Sequence, residues 1–174
     1  EAFDLLKSNL EEVNKMQSLS NYLLALSKYE SSDADLPRQK VSLIEIINKA
    51  IERVTPLASD KKISIKTLGD DLTLLAHPVS FTELITILLD NAVKYSNPKS
   101  KIEIKIKRVK NRAIITVADH GVGIKASDLP YIFNRFYRAD SSRSKAHVDG
   151  HGLGLAIAKS IVDQHKGTIE VKSI

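Results

Sequence analysis

The sequence predicts an α+β chain, with a long leading helix followed by a globular part in which helices and short strands are interspersed. Three observations carry this reading. From Phe3 to about Glu30 apolar residues recur every three or four positions with no Pro or Gly among them. From Phe81 to Ser96 a second apolar face repeats at helical spacing, and Ile102, Ile104 and Ile106 alternate with polar residues at the period of a strand.

The composition bounds what such a chain can be. With 174 residues, 43% hydrophobic and 27% charged, it has room for one domain with a sizeable core plus a small appendage. The absence of Cys excludes a disulfide framework, thiol chemistry and Cys-based zinc sites, and fits a reducing compartment. No window approaches the roughly 18 to 20 apolar residues of a membrane span, and no basic-then-apolar leader stands at Glu1. The expectation is a cytoplasmic unit, any membrane anchor of a longer parent lying outside this chain. A net charge of +5 suits an anionic partner such as a nucleotide, an acidic protein surface or nucleic acid. Lys99 to Arg112 holds seven basic residues, but their alternation with Ile102, Ile104 and Ile106 reads as the solvated face of a strand. It lacks aromatics that could stack on bases, so no nucleic-acid partner is expected.

In the leading helix Leu6, Leu10, Val13, Met16, Leu19, Leu23 and Leu26 form one apolar stripe, which needs a partner helix from another segment or another chain. Residues 31–40, polar from Ser31 to Asp35 and broken by Pro37, read as a linker. The second part begins at Val41. Ser42 with Glu45 forms a capping box for a helix whose buried face is Leu43, Ile46, Ile47, Ala50, Ile51 and Val54, ending near Pro56. Ile63 to Thr67 and Leu72 to Ala76 read as a hairpin across Gly69-Asp70-Asp71. His77-Pro78 turns into the helix of Phe81 to Ser96, closed by Asn97-Pro98. Lys101 to Val109 and Ala113 to Ala118 follow as strands, the second apolar on both faces and therefore expected inside the sheet. Ser127 to Phe136 reads as a short helix, Tyr137 to Asp149 as a polar, cationic loop, the stretch from the glycine-rich Gly150 to Leu155 up to Gly167 as a helix with Leu155, Ala156, Ala158, Ile161 and Val162 inside, and Thr168 to Lys172 as a last strand.

Four features carry chemistry. Asn91 stands at the border of the apolar face of its helix, where an amide must find a partner and its oxygen can ligate a hard cation; Lys94 adds a positive charge one turn on. Taken alone, the pair is better read as the wet margin of an ordinary helix. Asp119, at the end of an apolar strand, is followed by Gly121 and Gly123, which let backbone approach a flat ligand; an Asp-Gly turn accounts for the hexapeptide alone. The loop is cationic. Gly150-His151-Gly152-Leu153-Gly154-Leu155 opens a helix whose backbone N–H groups can bind an anion. Purine acceptor, cation ligand, basic lid and phosphate cradle together describe a magnesium-nucleotide site.

This ordered set resembles the catalytic ATP-binding domain of sensor histidine kinases in the GHKL superfamily. The N box is similar to Leu-Leu-Asp-Asn-Ala-Val-Lys-Tyr-Ser, the first glycine box to Asp119 to Ile124, the F box to Ile132 to Arg138, and the second glycine box to Gly150 to Leu155. The leading helix resembles the second helix of the family's dimerisation and histidine-phosphotransfer hairpin. The resemblance implies a two-layer α/β sandwich, with helices on one face of a mixed sheet, over 41–174. It implies that ATP and Mg2+ are the cofactors, that Asn91 ligates magnesium, that Lys94 and Arg138 face the phosphates, and that Tyr95 lines the pocket. Asp119 would accept the adenine amine, with Gly121, Gly123 and Ile124 shaping its pocket. Gly152, Leu153, Gly154 and Leu155 would offer N–H groups to the phosphates, and Phe133 and Phe136 would anchor the lid.

The implied reaction is transfer of the γ-phosphoryl group of ATP to a histidine of the hairpin and thence to an aspartate of a response regulator, in a homodimeric parent. None of His77, His120, His147, His151 and His165 lies in the family's phosphoacceptor setting, so that histidine is expected outside this chain. Ile87 stands where a second Asn is frequent, and His151 where Thr is common. A nucleotide-binding regulatory module without phosphotransfer is the alternative. A hydrolytic ATPase is disfavoured, since Ile87 replaces the Glu that would activate a water.

Overall fold

The computed structural model describes residues 2–30, 37–139 and 151–173. The elements run α1 (Ala2–Glu30), β1 (Gln39–Ser42), α2 (Leu43–Asp60), β2 (Ser64–Leu68), β3 (Thr73–Ala76), α3 (Pro78–Tyr95), β4 (Lys101–Val109), β5 (Arg112–Ala118), a 3-10 turn at Leu129–Tyr131, and α4 (Gly154–Gln164). Residues 31–36 of the predicted linker, most of the predicted lid (140–149) and Gly150 lie outside the described residues.

β4 is the centre of the main sheet. β2 runs parallel to it with Ile65 opposite Ile102, and β5 runs antiparallel with Ile106 opposite Ile115. Ile102, Ile104 and Ile106 point inward and join Leu43, Ile47, Ile85, Leu89, Ile157 and Ile161 of the helices in one buried core. Lys101 and Lys107 point the other way into solvent. This is the expected two-layer α/β arrangement, with a mixed sheet and its helices on one face.

α2 starts as its sequence dictates: the Ser42 hydroxyl accepts from the Glu45 N–H at 3.1 Å. Asp71 reinforces this start, its carboxylate accepting from Ser42 Oγ at 2.7 Å and from the Ile44 N–H at 3.1 Å. These bonds hold the carboxyl below the usual carboxylate range. They also correct the predicted hairpin. With Asp71 tied to the start of α2, β3 pairs antiparallel with β1, a strand formed at the end of the predicted linker, and β2 is left to β4.

Other expectations need correction. α2 runs past Pro56 to Asp60, because Pro56 and Glu52 both face solvent and the carbonyl orphaned by the missing N–H can meet water. β5 is an edge strand among the described residues, with Ile114 46% exposed. Ser127 to Phe136 is a series of tight turns rather than an α-helix, since its bonds run from Tyr131 N to Asp128 O, Asn134 N to Tyr131 O and Tyr137 N to Asn134 O, all three residues apart. Thr168 to Lys172 has no ladder partner among the described residues; Ile169 packs against the core instead. In α1, Leu6, Leu10, Val13, Met16 and Leu23 are exposed, while Leu19, Tyr22, Ala25 and Tyr29 meet the core.

Two histidines tie the far ends of α3 and α4 together. The His77 ring caps α3, Nδ1 accepting from the Ser80 N–H at 3.2 Å. The His77 N–H donates to His165 Nε2 at 3.1 Å, while His165 Nδ1 lies 2.7 Å from the Ile161 carbonyl and so carries the proton. Burial first, then Lys28 and His165, pushes the His77 pKa down.

Candidate functional site

The site is built on the C-terminal half of α3. Ile87 and Asn91 face the start of α4 at close range: a Cβ placed on Gly154 would lie 3.4 Å from Ile87 Cγ2 and 4.0 Å from Asn91 Nδ2. Asn91 is half-buried, as its border position predicts. Lys94, also half-buried, forms an ion pair with Asp90 at 2.7 Å on the same helix.

The end of α3 is held by a residue that no local pattern flagged. Lys61 Nζ donates to the carbonyls of Val93 at 2.9 Å and Lys94 at 2.5 Å. A cation thus satisfies two of the carbonyls that a helix C-terminus leaves without partners and meets the negative end of its dipole. Lys61 lies more than thirty residues from these carbonyls, so sequence spacing gave no signal for it. Asp90, by contrast, was legible as an acid four residues before Lys94.

β5 delivers Asp119 beside the end of α3. Ser96 and Gly121 form an antiparallel bridge, and the Val122 N–H donates to the Tyr95 carbonyl at 3.3 Å. Gly121 is required here, because a Cβ would sit 2.4 Å from the Tyr95 oxygen. Asp119 is exposed rather than enclosed by apolar residues, and its Oδ1 accepts from the Gly121 N–H at 2.9 Å, an Asx turn. Gly123 adopts a φ of 68°, and the Ile124 N–H donates to Ser173 Oγ at 2.8 Å.

The third wall joins the turns after Asp128 to the start of α4. Gly152, at φ 70°, lies flat against the preceding turn, where a Cβ would come within 2.7 Å of the Tyr137 oxygen and 2.8 Å of the Phe136 carbonyl carbon. Tyr137 is fixed in turn by its hydroxyl, which donates to Asp128 Oδ1 at 2.9 Å. Arg138 follows directly and is half-buried. Phe136 has a φ of 61° and is 57% exposed, so it does not anchor this wall through burial; Phe133 is half-buried. Leu153 is buried in the core and caps α4 without a side-chain hydrogen bond, so the first-turn N–H groups of α4, at Gly154 and Leu155, have no capping side chain. His151 packs its ring edge-on to Tyr22 of α1, 6.3 Å between centroids.

The structure therefore brings Asn91 to Gly154, Tyr95 to Gly121, and Tyr137 to Gly152, three contacts among segments far apart in sequence. Gly150 lies outside the described residues. Among the described residues no group of three or more acidic or histidine side chains could hold a metal. Asn91 offers one oxygen. That fits a hard cation that takes most of its ligands from water and phosphate rather than from a protein cage.

Comparison with known proteins identifies relatives of this chain. Residues 76–174 match the family described as histidine kinase-, DNA gyrase B-, and HSP90-like ATPase. The signal transduction histidine-protein kinase ArlS of Staphylococcus aureus (strain USA300) is 35% identical over 168 residues, covering 97% of this chain and 37% of the relative. The chain thus spans little more than a third of the length of that relative. Among solved structures, the mycobacterial sensor histidine kinase MprB is 26% identical with a TM-score of 0.65, over 74% of this chain and 80% of that one. The Acinetobacter baumannii histidine kinase AdeS, 24% identical, shares the fold with a TM-score of 0.79 over 97% of this chain and 77% of that one.

Proposed function

Because this chain belongs to the histidine kinase-, DNA gyrase B-, and HSP90-like ATPase family, we propose that it is the ATP-binding catalytic domain of a sensor histidine kinase. It transfers the γ-phosphoryl group of ATP to a histidine outside this sequence, from which the group passes to the receiver domain of a response regulator. The observation that supports this reading most is the close approach of Gly154 to Ile87 and Asn91, which sets the Asn91 amide beside a helix start suited to phosphate.

Phosphoryl transfer asks the protein mainly for positioning and for positive charge around the phosphates. Asp119 accepts the exocyclic amine of adenine, while Tyr95, Gly121, Gly123 and Ile124 form the walls around the base. The N–H groups of Gly152, Leu153, Gly154 and Leu155 hold the phosphates, and Lys94 and Arg138 add charge. Asn91 is the residue that would hold Mg2+, which supplies further neutralisation of the phosphate oxygens when bound with the nucleotide. Ile87 stands one turn before Asn91 and cannot activate water. Glu83, a further turn back, faces Tyr29 of α1, whose pKa is raised by burial and then by the Glu83 charge. With no acid on α3 one turn before Asn91 to activate water, transfer to a histidine is favoured over hydrolysis.

Residues 1–30 belong to the dimerisation hairpin and 41–174 to the catalytic domain, with 31–40 between them, of which Gln39 and Lys40 already pair in β1. The exposed stripe of Leu6, Leu10, Val13 and Met16 is covered by helices of the hairpin and of a second copy in a homodimer. No helix among the described residues is long and apolar enough to cross a membrane, and the reaction, drawing on ATP and a response regulator, runs in the cytoplasm. Calorimetric titration with ATP, with and without magnesium, tests the site. Binding that magnesium strengthens is expected; a folded chain that binds no ATP in either buffer would remove the proposal.

A further inference from the structure

We propose that the tip of the β4–β5 hairpin is a docking surface for an anionic lipid bilayer. Lys107, Arg108, Lys110 and Arg112 crowd within six residues around the turn, and all four are exposed. None of them is in an ion pair with a described residue. The neighbouring carboxylates do not cancel this charge. Glu103 is bound to Lys105 at 3.0 Å, and Asp71, still an anion, is turned to the start of α2 by Ser42 and Ile44. Asp70 follows Gly69, which packs on the Ile106 backbone, so it sets one acid near the four cations of the tip.

Two apolar side chains share the tip with the cations. Val109 is 48% exposed and Ile114 46% exposed, side by side with Lys107 and Arg112 in the antiparallel register. Cations that reach headgroups, next to short apolar groups that can enter the boundary beneath them, are what an anionic membrane surface selects. Lysine-rich patches are depleted at the centres of protein interfaces, and no aromatic stands between Lys99 and Ala118 to stack on a nucleic-acid base. The tip also lies at the far end of β5 from Asp119, about 20 Å away for a strand of this length. Docking there leaves the nucleotide site open.

The test uses sedimentation of the chain with vesicles at physiological salt, made of equal parts phosphatidylglycerol and phosphatidylcholine, or of phosphatidylcholine alone. Binding is expected to the anionic vesicles only. The triple variant Lys107→Glu, Lys110→Glu, Arg112→Glu should weaken it by more than about a hundredfold, each cation being worth roughly fivefold. A variant of equal charge, Lys49→Glu, Arg53→Glu, Lys166→Glu, should retain most of it, and both variants should keep the parent's melting temperature within a few degrees. Equal loss in the two variants would overturn the proposal by reducing it to net charge. Binding to polyglutamate but not to anionic vesicles would also overturn it, and would assign the tip to an acidic protein.

Discussion

Gly154 at the start of α4 stands against Asn91 of α3, so closely that a Cβ on Gly154 would lie 4.0 Å from the Asn91 amide nitrogen. The glycine keeps the mouth between the two helices open at a position where helix propensity would favour another residue. Replacing it separates fold from function. Gly154→Ala should leave the melting temperature unchanged or slightly raised, since Ala gains up to about 1 kcal/mol of helix propensity. The same change should weaken ATP binding roughly tenfold by narrowing the approach to the α4 N–H groups. Thermal melting and calorimetry on one sample read both effects.

Asn91 and Asp119 are assigned to different parts of the ligand, and their variants should fail differently. Asn91→Ala should abolish the strengthening of ATP binding by magnesium while leaving magnesium-free binding nearly intact. Asp119→Asn should lose the preference for adenine over guanine nucleotides. Unchanged preference would remove Asp119 from the base-reading role.

Lys61 acts through the end of α3 rather than on substrate. Lys61→Met leaves the Val93 and Lys94 carbonyls without their donor, at a cost of about 1 to 3 kcal/mol, read as a lower melting temperature. It should also weaken nucleotide binding, because Tyr95, whose carbonyl accepts from the Val122 N–H, directly follows Lys94. Lys61→Arg can donate to the same carbonyls and should restore both; a variant that stays defective would show that the ammonium geometry matters.

The His77 to His165 link predicts a pH dependence. Both rings accept an N–H through an unprotonated nitrogen, and His77 has its folded-state pKa pushed below its ordinary value. The unfolded chain therefore binds the proton more readily. Stability should be at its full level above the ordinary histidine pKa, about 6.5, and fall as pH drops below it. Asn can cap a helix without titrating, so His77→Asn should flatten the melting temperature between pH 5 and 7.

Much of this architecture was legible in the chain itself. The apolar spacing of α3, the Ser42 cap of α2 and the alternation of Ile102, Ile104 and Ile106 are local signals, and each produced the element it implied. Pairing was harder to read. Gly69-Asp70-Asp71 looks like a hairpin turn, but Asp71 is used by the start of α2, which sends β3 to β1. The apolar character of β5 suggested an interior strand, whereas β4 takes the centre of the described sheet. Glycines at 121, 152 and 154 were visible as motifs, but only the structure says what each one touches. Lys61 was invisible because its two partners are distant in sequence.

Transfer of phosphate from this domain to a histidine is open to a direct measurement. The direct measurement incubates the chain with γ-labelled ATP, magnesium and a separately supplied dimerisation hairpin that carries the family's phosphoacceptor histidine. Label on the hairpin that survives alkali, is released by acid and is lost when that histidine is replaced is the predicted result. Release of free phosphate with an unlabelled hairpin would contradict it and leave the chain a hydrolytic ATPase.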